Sequence, residues 1–502
     1  MKKLFLCLCL FSFFGGKLLP QKNTNVILEH SESLSFDKTR DGSYQVLRGN
    51  VRFRHDNALM YCDSAYFYDG QNSFDAFGNV RVIQQSMTLN ANKMFYNGNT
   101  KLLRARGNVI LNTEELTIHT DNMDFDRTRN FGYYFDGGKT TEPQFEITSV
   151  KGYYYPDTKT SVFNENVVLT NPDFSIHTDT LRYNSTTEIA YVTGPSHIYY
   201  DQYTIYTTNG WSNTTQNFGM LYDYSVITST DGKRITADSI AFDRNGGWTK
   251  TYHNIDIRDT VQKSIFKGDY GIFYDNPQSG IVTDRAYMID YSSADSLFLH
   301  ADTLSFVAPD STSNIMKAYH NVRFFRKDLQ GKCDSLTYIT TDSVIDMQGD
   351  PVLWSEESQL TGDIIKIYMK NNIADWIHIT SNAMISSLED STLRYYNQLS
   401  GRESKAYIID GELRIIDMIG NAVSIYFTKD RKEDLIGINK AEGSTITIHL
   451  KDKEFYKIKA TQDPKGNLYP PDKMPGEELF LRNFTWQKDI RPRNKEDIFT
   501  RY

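Results

Sequence analysis

Between Leu47 and Asp126 one pattern of apolar and polar positions is written three times. Each copy carries Gly-Asn-Val, at Gly49-Asn50-Val51, Gly78-Asn79-Val80 and Gly107-Asn108-Val109, and the three glycines stand 29 residues apart. Fourteen residues after each glycine comes a polar anchor: Asp63, Asn92 and Asp121. Two independent markers with one period, within the range of roughly 20 to 50 residues, predict a stack of repeats sharing a continuous core. Within each copy apolar and polar residues alternate with a period of two, which predicts strands. At the anchor the alternation slips by one residue: Ile118 and Thr120 give way to Met123 and Phe125, and Met60 and Cys62 to Ala65 and Phe67. A strand that changes face at a fixed point needs a bulge or corner there. Gly-Asn-Val is therefore read as the start of a strand, and the anchor as the bend from one wall to the other.

Each unit also holds two turn signals. One set includes His55-Asp56-Asn57, Asn171-Pro172-Asp173 and Thr230-Asp231-Gly232; the other includes Asp69-Gly70, Asn97-Gly98, Asn245-Gly246 and Asp275-Asn276-Pro277. Two turns per unit make a hairpin per unit and favour an antiparallel meander over a parallel β-helix. The anchors continue, with small insertions, through Asp179, Asp238, Asp269, Asp302, Asp334 and Asp363, and the pattern fades after Gly420-Asn421-Ala422-Val423. The predicted fold is all-β: an elongated, twisted jelly roll of stacked antiparallel strands with a repeat of roughly 29 residues. Its expected divisions are a signal peptide over 1–22, clear repeats over 23–225, divergent repeats over 226–425, and a C-terminal cap and tail over 426–502, the tail from Ile490 onward charged and partly disordered.

Stacked bends make a trough. The residues in inward phase are Val51, Phe53, Met60, Val80, Val82, Leu89, Met94, Tyr96, Val109, Leu111, Ile118, Met123 and Phe125. They form either a closed dry core, which every stacked repeat needs, or an apolar lining that admits acyl chains; periodicity does not separate the two.

Composition sharpens this picture at four points. Tyr and Phe total 62 (33 and 29) against 13 Pro, which suits many short aromatic-bearing strands. A formal net charge of −8 is the wrong balance for a nucleic-acid partner. Met1-Lys2-Lys3 followed by the apolar run Leu4 to Phe14 has the form of a secretory signal, and the apolar run is too short for a membrane span. Cys62 and Cys333 lie about nine units apart and are expected to be small buried residues rather than a disulfide.

Candidate chemistry is sparse. The anchor aspartates could be imagined as a calcium ladder, yet no unit has the clustered spacing of a calcium repeat, and each is expected to satisfy backbone donors at its bulge. His119, His177 and His300 share one phase, but their units are not adjacent, so no metal site is expected. No nucleophile motif, phosphate loop or paired cysteine motif is present, and neither a catalytic residue nor a cofactor is expected.

The units Gly49-Asn50-Val51 with Cys62-Asp63-Ser64, Gly78-Asn79-Val80 with Leu89-Asn90-Ala91-Asn92, and Gly107-Asn108-Val109 with Ile118-His119-Thr120-Asp121 resemble the OstA-like, LptA-type repeat of periplasmic lipopolysaccharide transport. The resemblance runs from about Val26 to Val423 and weakens after Thr140. It implies a splayed β-jelly roll that shields the acyl chains of lipopolysaccharide across the periplasm of a Gram-negative cell. It also implies head-to-tail self-association, and edge-strand joining to related domains on inner- and outer-membrane proteins. This chain is much longer than a single bridge module and lacks a long C-terminal series of amphipathic strands, so it is not read as the outer-membrane translocon. The expected function is a non-enzymatic carrier or bridge for lipopolysaccharide, with the inward stripe as lipid contact. An exported structural or adhesive β-solenoid is the first alternative, and a polysaccharide-active enzyme the second.

Overall fold

The computed structural model describes residues 24–36, 44–310, 313–371, 373–390, 392, 394–410, 412–430, 434–451 and 454–501. The predicted signal peptide lies outside the described residues. The described chain forms β-strands and a few single-turn 3-10 segments, and no helix in it is long and apolar enough to cross a membrane. Its contacts divide it into two compact units. Unit 1 holds the residues up to Pro172 together with Thr180–Thr186; unit 2 holds Asp173–Asp179 and the residues from Thr187 on.

Unit 1 is an antiparallel meander. Strands β1 (Ile27–His30) and β2 (Ser33–Phe36) pair with the two halves of β3 (Gln45–His55). β3 pairs with β4 (Ala58–Tyr68), and the order continues through β5 (Ser73–Gln84), β6 (Met87–Asn97), β7 (Leu102–Asn112) and β8 (Thr117–Asp126). The hairpin reading of the turn signals holds.

Gly-Asn-Val does not start a strand, as its sequence position suggested. It lies in the middle of one: between β3 and β4 the pairing runs to Arg48 with Ser64 and resumes at Val51 with Cys62, so that Gly49-Asn50 oppose Asp63 alone. Both residues of each pair are left-handed, with φ of 78° and 46° at Gly49 and Asn50, and 75° and 40° at Gly78 and Asn79. An ordinary residue pays roughly 1–2 kcal/mol in that region, and Gly and Asn are the residues that visit it most readily. This two-residue bulge turns the strand from one wall to the other. Gly-Asn looked like a strand start because a left-handed pair is usually a turn signal.

The anchors buttress the bulges. Asn79 Nδ2 donates to Asp63 Oδ2 at 2.9 Å, and a Cβ added at Gly78 would sit 2.4 Å from that oxygen. Unit 2 repeats the contact with Asn254 on Asp238 at 2.8 Å, Asn321 on Asp302 at 2.7 Å and Asn382 on Asp363 at 3.0 Å. These aspartates are structural, as expected, but they accept chiefly from the asparagine side chain of the next bulge rather than from backbone. His119 and His177 are exposed, whereas His300 is buried and donates through Nδ1 to the Ala286 carbonyl at 2.7 Å.

Unit 2 uses the same geometry. From Ile189–Tyr200 to Lys465–Tyr469 its strands pair antiparallel with their neighbours, and the long ones carry register shifts at Thr380/Ala383, Ser400/Glu403 and Ile419/Ala422. The strand Glu412–Lys429 runs through residue 426 without a break. One core cluster extends from Val282 to Ile448.

The C-terminal segment, expected to be partly disordered from Ile490 onward, packs on the wall beyond that point as well, through Arg491, Ile498 and Phe499. Leu353 and Leu360 face the core, so Trp354 and Gln359 face outward, yet both are buried because residues 474–501 cover that outer face. Gln359 Nε2 donates to the Thr485 carbonyl at 2.7 Å and its Oε1 accepts from the Gln487 N–H at 2.8 Å. Gln398 does the same with Leu479 and Leu481, at 2.9 and 2.8 Å. Each glutamine amide imitates a strand neighbour, so the segment's backbone groups are satisfied without a ladder. Ile498 is buried, and Phe499 packs on Tyr287 and His300.

Candidate functional site: the apolar interior and its rims

All thirteen residues of the predicted stripe lie in unit 1 and point into it. They are between 0 % and 6 % exposed. Phe53 stacks on Phe74 at a ring separation of 4.0 Å and meets Phe67 at 5.4 Å, and Phe74 in turn meets Tyr96 at 5.5 Å. The stripe is thus a packed interior in this state, and an acyl chain could enter only if the walls part.

The hairpin turns form two rims. On the first, successive turns hydrogen-bond to one another: Gly98 N–H to the Asn72 carbonyl, Arg127 N–H to that of Lys101, and Ser185 N–H to that of Lys159. The second rim holds Asp56-Asn57, Gln85, Thr113 to Leu116 and Glu142 to Phe145. Side chains join the rims across the interior. Lys101 Nζ meets Asp56 Oδ2 at 2.7 Å, Lys159 pairs with Glu115, and Arg127 reaches Gln84 Oε1 through Nε at 2.8 Å. These partners are 45, 44 and 43 residues apart, which is one and a half repeats and so the opposite rim. Sequence reading missed these residues because each lies in a turn, where polar side chains are ordinary.

Electrostatics follow the same contacts. Burial raises the carboxyl of Asp56, but hydrogen bonds from Lys101 and Thr24 outweigh it and bring the group down to about 2. Burial, helped by the neighbouring Glu115, pushes Glu142 up to about 7 against a hydrogen bond from Tyr183. His55 is wholly buried, with Nδ1 2.6 Å from Tyr96 Oη, and burial lowers its pKa.

Glu142 has a consequence for pH. A carboxyl raised in the folded state contributes stability that is complete below its unfolded value of 4.5 and is lost as pH rises through about 7. Glu142→Gln is therefore expected to raise the melting temperature of unit 1 at pH 8 while changing little at pH 4.5. Equal shifts at the two pH values, read by calorimetry, would contradict this assignment.

Unit 2 has its own interior. Ile176, Val192, Ile198, Ile205 and Leu221 are buried around a cavity of about 40 Å³ that Tyr200 and Arg244 also line. Arg244 lies 3.8 Å from the ring centre of Tyr200 and 5.3 Å from that of Tyr203. Farther along, Phe266, Phe273, Met288, Leu336 and Ile345 are only half-buried against the core. The stripe as read from the sequence stopped short of them, since small insertions had blurred its phase. A larger concavity of about 540 Å³ has Ser279, Ile281, Ser305 and Val307 along it. Their strand neighbours Gly280 and Val282 point inward, so this concavity lies on the outer face of the wall. Cys62 and Cys333 are free and buried, and burial pushes both thiols up to about 12.

Among solved structures, LptH of Pseudomonas aeruginosa, described as the LptA-homologous periplasmic component of the lipopolysaccharide transport device, is similar at 14 % identity, with a TM-score of 0.22. The alignment covers 28 % of this chain and 94 % of that one. No curated protein matches. Residues 23–179 match the sequence model described as OstA-like protein, a span that takes in Gly49-Asn50, Gly78-Asn79, Gly107-Asn108 and the whole predicted stripe. Over that span the chain is similar to the OstA-like family.

Proposed function

We propose that this chain is a non-enzymatic periplasmic carrier or bridge that holds the acyl chains of lipopolysaccharide between its walls on the way to the outer membrane. The observation that carries the reading is the interior of unit 1, where thirteen apolar side chains in fixed repeat phase are enclosed by rims that side chains bridge. Side-chain contacts between rims can be exchanged without breaking a strand ladder. The match of residues 23–179 to the OstA-like model supports the same reading.

Docking to related domains would use the open strand edges. Among the described residues β1 and β2 each pair only with β3, and they expose Ile27, Leu34 and Phe36 at 52 %, 54 % and 51 %. At the other end of the strand order, Glu454–Thr461 and Lys465–Tyr469 each pair, among the described residues, only with Leu435–Lys451. Such edges suit strand addition by a related domain or head-to-tail stacking of copies.

Photo-crosslinking residues placed at Phe53, Met94 and Phe125 are expected to capture lipopolysaccharide in Gram-negative cells, while Arg52 and Arg81, which point outward, are not. Capture from the outward positions alone would sink the proposal. A structural, exported β-stack with a sealed core is the second reading, favoured by the tight packing of Phe53, Phe67 and Phe74. It predicts no capture at any of the three inward positions.

A further inference from the structure

Two of the residues that cross from rim to rim differ from the rest. Lys101 and Lys159 meet carboxylates, whereas Arg127 and Arg244 meet neutral groups. Arg127 donates to Gln84 Oε1 at 2.8 Å, Tyr96 Oη at 2.7 Å, the His55 carbonyl at 3.3 Å and Asn57 Oδ1 at 3.3 Å. Arg244 lies over Tyr200, Tyr203 and Phe242. Among the described residues neither has a carboxylate at ion-pair distance. The two arginines are 117 residues apart in sequence, about four repeats, so they hold the same position in their respective units. Their tyrosine partners belong to the apolar lining: Tyr96 is a stripe residue, and Tyr200 lines the interior cavity of unit 2.

We propose that Arg127 and Arg244 are anion-binding positions at the mouths of their two interiors, and that they take the phosphate or carboxylate head group of an amphiphile whose chains lie between the walls. This rests on the carrier reading above and adds the head-group chemistry to it. A guanidinium held on neutral partners keeps its full charge uncompensated, and its planar fork fits two oxygens of a phosphate or carboxylate. An amphiphile with its chains inside must leave its charged head at the rim, where water remains, and the rim is where both arginines sit. With no ligand bound, the arginine covers the aromatic lining. With ligand bound, it exchanges its neutral contacts for a charge-assisted pair.

The test is calorimetric titration of the full-length protein with two probes that differ only in the phosphate: lysophosphatidic acid and the monoacylglycerol of the same chain, both below their critical micelle concentrations. The wild type is expected to bind the phosphorylated probe about tenfold more tightly. Arg127→Gln with Arg244→Gln is expected to bring the two affinities together, and Arg127→Lys with Arg244→Lys to restore most of the difference. Equal affinity of the wild type for both probes, or a preference that survives the glutamine pair, would overturn the proposal while leaving the carrier reading intact. Inorganic phosphate binding as tightly as lysophosphatidic acid would also overturn it, because the site would then not be coupled to an acyl chain. Failure of both probes to bind the wild type would count instead against the carrier reading itself.

Discussion

With Asp56 and Lys101 replaced by cysteines and joined by a short, reducible bis-maleimide, capture of lipopolysaccharide at Phe53 and Met94 is expected to fall to background. Reduction of the linker should then restore it. The two residues meet across the interior at 2.7 Å, so the linker replaces an exchangeable contact by a covalent one at that point of the mouth. The native thiols should not interfere. Cys62 and Cys333 are buried and pushed up to about 12, so near pH 7 they remain protonated and shielded from the reagent. The energetic reason for expecting opening in the unlinked protein is the size of the hydrophobic term. At about 0.8 kcal/mol per buried methylene, an acyl chain of about a dozen carbons supplies on the order of 10 kcal/mol, against surface pairs worth about 0–1 kcal/mol each. Undiminished capture in the linked protein would mean that chains reach the stripe by a route other than between these rims.

Phe53→Ala is expected to destabilise unit 1 by about 3–5 kcal/mol, because it removes a large, fully buried ring and leaves Phe67 and Phe74 facing a void. Phe53→Leu, which fills much of that space, should cost about half as much or less. Chemical denaturation followed through near-ultraviolet signals of unit 1 would measure both. A loss below about 1 kcal/mol for Phe53→Ala would show that the interior already collapses or opens freely, and that the ring is not part of a packed core. The void has a functional side. If the walls part to admit chains, the alanine variant should retain capture at Met94 even as its stability falls, since the space removed from the core is space a methylene can occupy.

The strand content, the repeat and the place of the bend were legible in the sequence because they depend on near neighbours. Alternation with a period of two, interrupted at Asp63, Asn92 and Asp121, leaves few options: the chain must change face there, and the pairing shifts do fall there. The inward stripe was legible for the same reason, and every one of its residues is buried. The sequence also made the aspartates scaffold rather than chemistry, though only the structure showed that Asp63 accepts from Asn79 of the next bulge. Gly49-Asn50 was misplaced as a strand start, since a left-handed pair carries the same local signature in a turn and in the middle of a bulged strand.

The remainder needed the folded chain. Arg127 finds Gln84, and Lys159 finds Glu115, across one and a half repeats, and nothing in a turn's local composition tells which opposite turn will face it. The residues from Ile490 read as a charged, partly disordered tail because they contain no periodic pattern, and none is needed: Gln330 on the wall receives Arg491, as Gln359 and Gln398 hold the residues just before it. Local periodicity thus determined which residues of this protein are strand, core and corner. Only tertiary structure decided which side chains join the rims of unit 1, because those contacts link turns that the sequence separates by a fixed distance but the fold brings face to face.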